Sequence, residues 1–202
     1  MLYLSLNLNR IGPVQLATIT GSLKQGQVVV LPTDTIYGLS CLAKNVRAIK
    51  KIYNLKKREP HKPLIVLMSD LNMVKKFTFV SSRQEKFLKK IWSSQEAPTT
   101  VILKSRGKLP MEISSQVDGL AIRLPKLKFL IKIIKAVNQP LISTSLNLSG
   151  QPEIKRVKNL ESYFPIKKNQ PDLVVDIGPS PRKKASRLID LRREDQVIVL
   201  RK

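Results

Sequence analysis

Short runs of β-branched and aliphatic residues recur along this chain, several of them apolar on both parities, with helical patterns between them. That alternation constrains the fold more than any other feature. A strand apolar on both faces must be covered on both faces, and intervening amphipathic helices are the usual cover. Residues 27–31 (QVVVL), 64–68 (LIVLM), 99–103 (TTVIL), 119–124 (GLAIRL), 141–144 (LIST), 173–176 (LVVD) and 196–200 (QVIVL) read as strands. Helical spacing fills 14–24, then 46–55 behind Asn45 as a cap, a helix opened by a Ser82/Glu85 capping box, and 127–137. A short helix is expected near 157–164. Pro60, Pro110, Pro125, Pro140, Pro165 and Pro171 fall between elements, where proline is tolerated. The expectation is one α/β domain over 1–202, with an open, twisted, mixed sheet flanked by helices.

Composition excludes several classes. A hydrophobic content of 42% over 202 residues supports a packed core and argues against wholesale disorder. No apolar run is long enough to span a bilayer. Residues 1–10 lack the basic start of a signal peptide. The single cysteine, Cys41, allows no internal disulfide, which fits a reducing cytoplasm. With only one histidine, His61, a Cys/His zinc site is excluded, and no dedicated metal site is expected. Neither glycine-rich phosphate loop, GxxxxGK[ST] or GxGxxG, is present, and no GxSxG elbow occurs. The net charge of +23 favours polyanionic partners such as RNA, ATP or anionic lipid, or else follows from a lysine-rich proteome.

Four stretches could carry chemistry, and each also has a plainer reading. In LPTDTIYGL (31–39), Thr33 and Thr35 share a side of an extended segment, and Gly38 permits a turn or close backbone approach. Equally, this is a polar strand end. Lys56-Lys57-Arg58 closes a helix; an extended exit would send Lys56 and Arg58 into one cavity, although cations are favoured at a helix C-terminus in any case. In LISTSLNLSG (141–150), Ser143, Ser145 and Asn147 alternate on one side of an extended backbone and could hold phosphate or ribose oxygens, or form a turn. Arg123 lies inside an apolar strand, so it is paired or faces a cleft, where it could clamp a carboxylate. His61, in REPHKP, reads as a solvated loop histidine.

Taken in order, PTDTIYGL, K-x-R with a following KPL strand, PTTVIL, AIRLP and STSxNxSG resemble YrdC-like threonylcarbamoyl-AMP synthases. The resemblance runs from about Leu16 to Asp190. It implies a fold with a deep, basic concave groove. It further implies an enzyme, a nucleotidyltransferase that condenses ATP, bicarbonate and L-threonine to threonylcarbamoyl-AMP and pyrophosphate. Mg2+ is expected with the ATP, and a separate transferase complex would carry the group to a tRNA adenosine. By position, the resemblance places Lys56, Arg58, Ser145 and Asn147 on the ATP phosphates. Thr100, Ser143 and Ser186 would line the nucleotide side, with Thr35, His61 and Arg123 at threonine. Departures stand at Leu146, Ala97 and Arg187, where the family commonly has alanine, glycine and threonine. One competing reading is a non-catalytic RNA-binding or ribosome-maturation protein using the same groove, and another is a paralogue with the same fold and a different acyl or carbamoyl substrate; direct tRNA contact fits the first reading as well as the synthase.

Overall fold

The computed structural model describes residues 1–60, 62–94, 97–113, 118–166, 169–180 and 186–201. Among the described residues ten strands form one mixed sheet in the order β1-β8-β2-β3-β7-β4-β6-β5-β9-β10. In chain order they are β1 (Leu2–Ser5), β2 (Val29–Leu31), β3 (Gly38–Leu42), β4 (Ile65–Leu67), β5 (Thr99–Lys104), β6 (Gly119–Arg123), β7 (Leu141–Ser145), β8 (Leu173–Asp176), β9 (Arg187–Asp190) and β10 (Ile198–Arg201). The helices are α1 (Pro13–Lys24), α2 (Val46–Lys56), α3 (Leu71–Phe77), α4 (Ser82–Ser93) and α5 (Lys128–Val137), with a 3-10 turn at Leu160–Ser162. Antiparallel β2/β3, β3/β7 and β7/β4 pairs make the centre, and parallel β4/β6 and β5/β9 pairs lie further out. The expected mixed sheet flanked by helices is present.

Burial explains the both-parity runs. Every residue of β2 and β3 is buried, whereas all four residues of the edge strand β10 are exposed. Helix α1 packs on α5 and on β2 and β3, and α2 packs on β3. Most of the apolar stripes expected to face inward do so: Ile19 and Leu23 of α1, Ile49 and Ile52 of α2, and Leu130, Ile134 and Val137 of α5 are buried, but Val14, in the first turn of α1, is exposed.

Caps fix where the helices begin. Asn45 Oδ1 accepts from Ala48 N at 2.9 Å, as the sequence suggests, and Asp70 caps α3 through Met73 N. The capping box of α4 is one residue earlier than expected. Ser81 Oγ accepts from Gln84 N at 3.2 Å and Gln84 Oε1 accepts from Ser81 N at 2.9 Å. Glu85 instead pairs with Lys75 and Lys89. Gln84 Nε2 also donates to Leu191 O at 2.7 Å, tying this helix to the residue after β9.

Three local expectations are corrected. After α2 the chain does not exit extended: Lys57 adopts a left-handed conformation with φ 48°, closing the helix. Ser143 and Ser145 lie in β7, but the strand ends there and Asn147 N turns back to Ser145 O at 3.1 Å, so Asn147 does not continue the alternation. Thr33 and Thr35 lie in a folded connection rather than an extended one. There Thr33 Oγ1 accepts from Thr35 N and Ile36 N.

Candidate active site

The site grows from the register between β3 and β7. Gly38 sits opposite Ser145, Leu39 opposite Thr144 and Ser40 opposite Ser143. Two of the sequence stretches are therefore joined rung by rung. Gly38 is required by proximity: a Cβ there would lie 2.4 Å from Ser143 Oγ and 3.3 Å from Thr144 O. Leu146, one of the departures, is fully buried in the core, away from the polar side of this loop.

A cavity of about 400 Å³ opens over this junction. Thr33, Thr35 and Gly38 line it from the β2–β3 connection, Arg58 and Pro63 from the segment after α2, and Arg123 from β6. Ser143 and Ser145 line it from β7, Ser186 beside β9, and Arg201 from β10. Glu153 carries the only carboxylate among the described lining residues.

Lys56 stands behind the wall, 1% exposed. Its Nζ donates to Ser145 O at 2.6 Å, Asn147 O at 2.9 Å and Asn147 Oδ1 at 2.6 Å, with Ser145 Oγ at 3.5 Å. Three short bonds use all three ammonium protons. Burial, and then the neighbouring Arg58 charge, push its pKa down to about 8. Ser145 Oγ donates to Asn147 Oδ1 at 2.7 Å, and Asn147 Nδ2 donates to Gln151 O at 2.6 Å. The residues foreseen as one cluster are thus brought together, but the lysine head is spent on the 145–147 turn. Arg58 lines the same cavity as Ser145, with Nη2 donating to Pro63 O at 3.1 Å and Nε buried without a partner among the described residues. Tyr53 Oη, between Lys62 O at 2.9 Å and Glu112 O at 2.8 Å, pins the segment that carries it.

Arg123 is both paired and facing the cleft. Its Nη2 lies 3.1 Å from Asp34 Oδ1, with both side chains almost wholly buried, in an ion pair whose geometry makes no hydrogen bond. Burial lowers the Arg123 pKa and Asp34 opposes that shift. Its Nε is also buried without a partner among the described residues. Asp34 was passed over in the sequence, although it stands inside PTDT; only the need to neutralise a strand arginine pointed to it.

Thr35 and Ser186 both line the cavity. Thr33 Oγ1 donates to Ile36 O at 2.5 Å, so the 2.9 Å contact between Thr33 and Thr35 takes its proton from Thr35. Thr100 is fully buried and does not line the cavity; it touches Ser186 Oγ at 2.8 Å and so acts through it. Arg201, which sequence reading missed, donates from Nε to Ser186 O at 2.9 Å and from Nη2 to Ser186 Oγ at 3.3 Å. Its strand was legible, but the motif set ended at Asp190 and nothing marked this arginine apart from many others. Tyr37, also missed, donates from Oη to Gly178 O at 2.7 Å and accepts from Ile177 N at 2.9 Å, anchoring the loop beyond β8. Burial raises its pKa to about 12, so it remains a phenol. His61 lies outside the described residues. Among the described residues no group of three or more His, Cys, Asp or Glu could hold a metal ion.

Comparison with known proteins places this geometry. The Sua5/YciO/YrdC family model, described as telomere recombination, matches residues 21–202. A Methanocaldococcus jannaschii protein, provisionally named a threonylcarbamoyl-AMP synthase, is 34% identical over 87% of this chain and 79% of its own length. A Haemophilus influenzae threonylcarbamoyl-AMP synthase is 33% identical over 72% of this chain and 80% of its own. The crystal structure of P. abyssi Sua5 complexed with L-threonine superposes with a TM-score of 0.84 at 24% identity, covering 99% of this chain. This chain spans 56% of that longer one.

Proposed function

The chain belongs to the Sua5/YciO/YrdC family, and on that premise we propose that it is an L-threonylcarbamoyl-adenylate synthase. It condenses L-threonine, bicarbonate and ATP to threonylcarbamoyl-AMP and pyrophosphate. The observation that carries this reading is the convergence of Lys56, Ser145 and Asn147, joined by bonds of 2.6–2.9 Å, beside a cavity that Arg58 also lines.

The chemistry needs placement more than it needs a protein nucleophile. The threonine amine attacks the bicarbonate carbon and water leaves, giving a carbamate. A carbamate oxygen then attacks the α-phosphorus, and pyrophosphate departs. Holding the reactants together can supply at best roughly 7–11 kcal/mol. Arg58 and Arg201 would hold the triphosphate; their fixed charge stabilises the negative charge that grows on the leaving pyrophosphate. This part of the cavity is basic because three arginines face one carboxylate, with Arg123 already balanced by Asp34. Arg123 would meet the threonine carboxylate from the cavity wall, and Thr35 would accept from the amine or hydroxyl. His61 and Ser143 would complete the threonine and nucleotide walls, with Ser186 held by Thr100 and Arg201. Mg2+ would enter with the nucleotide and neutralise phosphate charge.

The product would pass to a separate tRNA-modifying transferase in the cytoplasm. No described helix is long and apolar enough to cross a membrane. The +23 charge would favour tRNA contact during that transfer. The test is pyrophosphate release from Mg-ATP. It should require both threonine and bicarbonate; release that persists undiminished without threonine rejects the substrate assignment.

A further inference from the structure

We infer that Ser145 meets the nucleotide through its divalent cation and not through a phosphate oxygen. The inference rests on the proposed use of ATP but concerns the polarity of one hydroxyl, which the surrounding bonds determine.

Lys56 Nζ can only donate, so the atom 2.6 Å from it on Asn147 must be the amide oxygen. The opposite assignment of that amide would set two donors against each other. The other end of the amide agrees, since Asn147 Nδ2 donates to Gln151 O at 2.6 Å. Ser145 Oγ lies 2.7 Å from the same amide oxygen, which can only accept, so the serine proton must lie between them. The hydroxyl has no second proton. The Lys56 contact at 3.5 Å is too long to use the serine oxygen well, because the ammonium's three protons already serve closer acceptors. Ser145 therefore turns lone pairs, not a donor, toward the cavity it lines.

A phosphate oxygen also offers only lone pairs, so direct contact with Ser145 Oγ would be repulsive. A hard cation fits instead. Beside a nucleotide, Mg2+ takes one or two protein carboxylates or a Ser/Thr hydroxyl and draws its other ligands from phosphates and water. Glu153, from the loop beyond the 145–147 turn, supplies the second hard oxygen group on this wall. Ser145 and Glu153 line the same cavity. Arg58 and Arg201 remain to take the phosphate oxygens directly. Lys56 acts here as a positioning residue: it fixes the Asn147 amide and, through it, the direction of the Ser145 proton.

The experiment measures Mg2+ affinity of the protein bound to a non-hydrolysable ATP analogue, by calorimetric titration and by Mn2+ electron paramagnetic resonance. Ser145→Ala should weaken metal affinity in that complex roughly tenfold or more, while affinity for the metal-free analogue stays unchanged. Ser145→Cys, a closer replacement, should give a thiolate-to-cadmium charge-transfer band when the Cd2+ complex of the analogue is added. Unchanged metal affinity in Ser145→Ala with weakened metal-free binding would overturn the inference, because the hydroxyl would then contact phosphate. So would absence of the cadmium band in a folded Ser145→Cys protein. These binding measurements need no turnover, so failure of threonine-dependent pyrophosphate release in the wild type would count against the proposed function and leave this result readable.

Discussion

Replacing Lys56 with methionine tests the buried staple beneath the site. Methionine keeps nearly the length of the side chain and removes its charge and donors. Three acceptors, Ser145 O, Asn147 O and Asn147 Oδ1, then lose partners at 2.6–2.9 Å. Hydrogen bonds to a charged group contribute about 1.5–3 kcal/mol each. Against that loss, the variant no longer buries a cation. The fall in the Lys56 pKa from 10.5 to about 8 corresponds to about 3 kcal/mol against the charged form. The bonds outweigh the desolvation, and Lys56→Met should lose about 1.5–6 kcal/mol. Urea unfolding at neutral pH reads this as a lower midpoint at unchanged slope. The pH dependence separates charge from shape. Between about 8 and 10.5 the unfolded chain keeps a proton on Lys56 that the folded chain has released. Wild-type stability should therefore rise with pH through that window and fall back as pH drops through about 8, relative to the methionine variant. Equal midpoints at neutral pH, or a difference between the two proteins that stays flat from pH 7 to pH 10.5, would refute the reasoning.

Other substitutions probe the walls. Arg201→Ala should weaken binding of an ATP analogue roughly tenfold to a hundredfold, the worth of one charge-assisted contact, while the melting temperature changes little because the residue is exposed; calorimetry checks both. Asp34→Asn leaves the Arg123 guanidinium buried without its counter-charge and should lower stability by about 3–5 kcal/mol in denaturant titration. Gly38→Ala pushes a methyl to 2.4 Å from Ser143 Oγ and should cost about 1–3 kcal/mol together with threonine affinity, read by unfolding and by threonine titration.

The sequence made the inner strands legible because full burial leaves a continuous apolar run, as in 27–31 and 64–68. It concealed β1 and β3 for opposite reasons. Leu2–Ser5 lies at an exposed edge and owes its strand conformation to pairing with β8, a contact over a hundred residues away. Gly38–Leu42 contains glycine, serine and cysteine, weak strand formers that only the register with β7 holds extended. Helix α3, at seven residues, is too short for a periodic signal. At the site, the ordered motifs identified Lys56, Arg58, Ser145 and Asn147 but not their division of labour. Local alternation pointed every polar group into one cavity. The left-handed turn at Lys57 and the end of β7 at Ser145 redirected two of them. Asp34, Tyr37 and Arg201 escaped notice because each acts across the fold on a partner that periodicity cannot name.

Among the described residues β10 is paired on one side only, by β9, and its register is interrupted between Val199 and Arg201. Such a margin can fray without disturbing the interior. When it does, Arg201 leaves Ser186 and the cavity loses a guanidinium. Moderate heating should consequently silence the protein before it melts, with hydrogen exchange at 198–201 marking the onset.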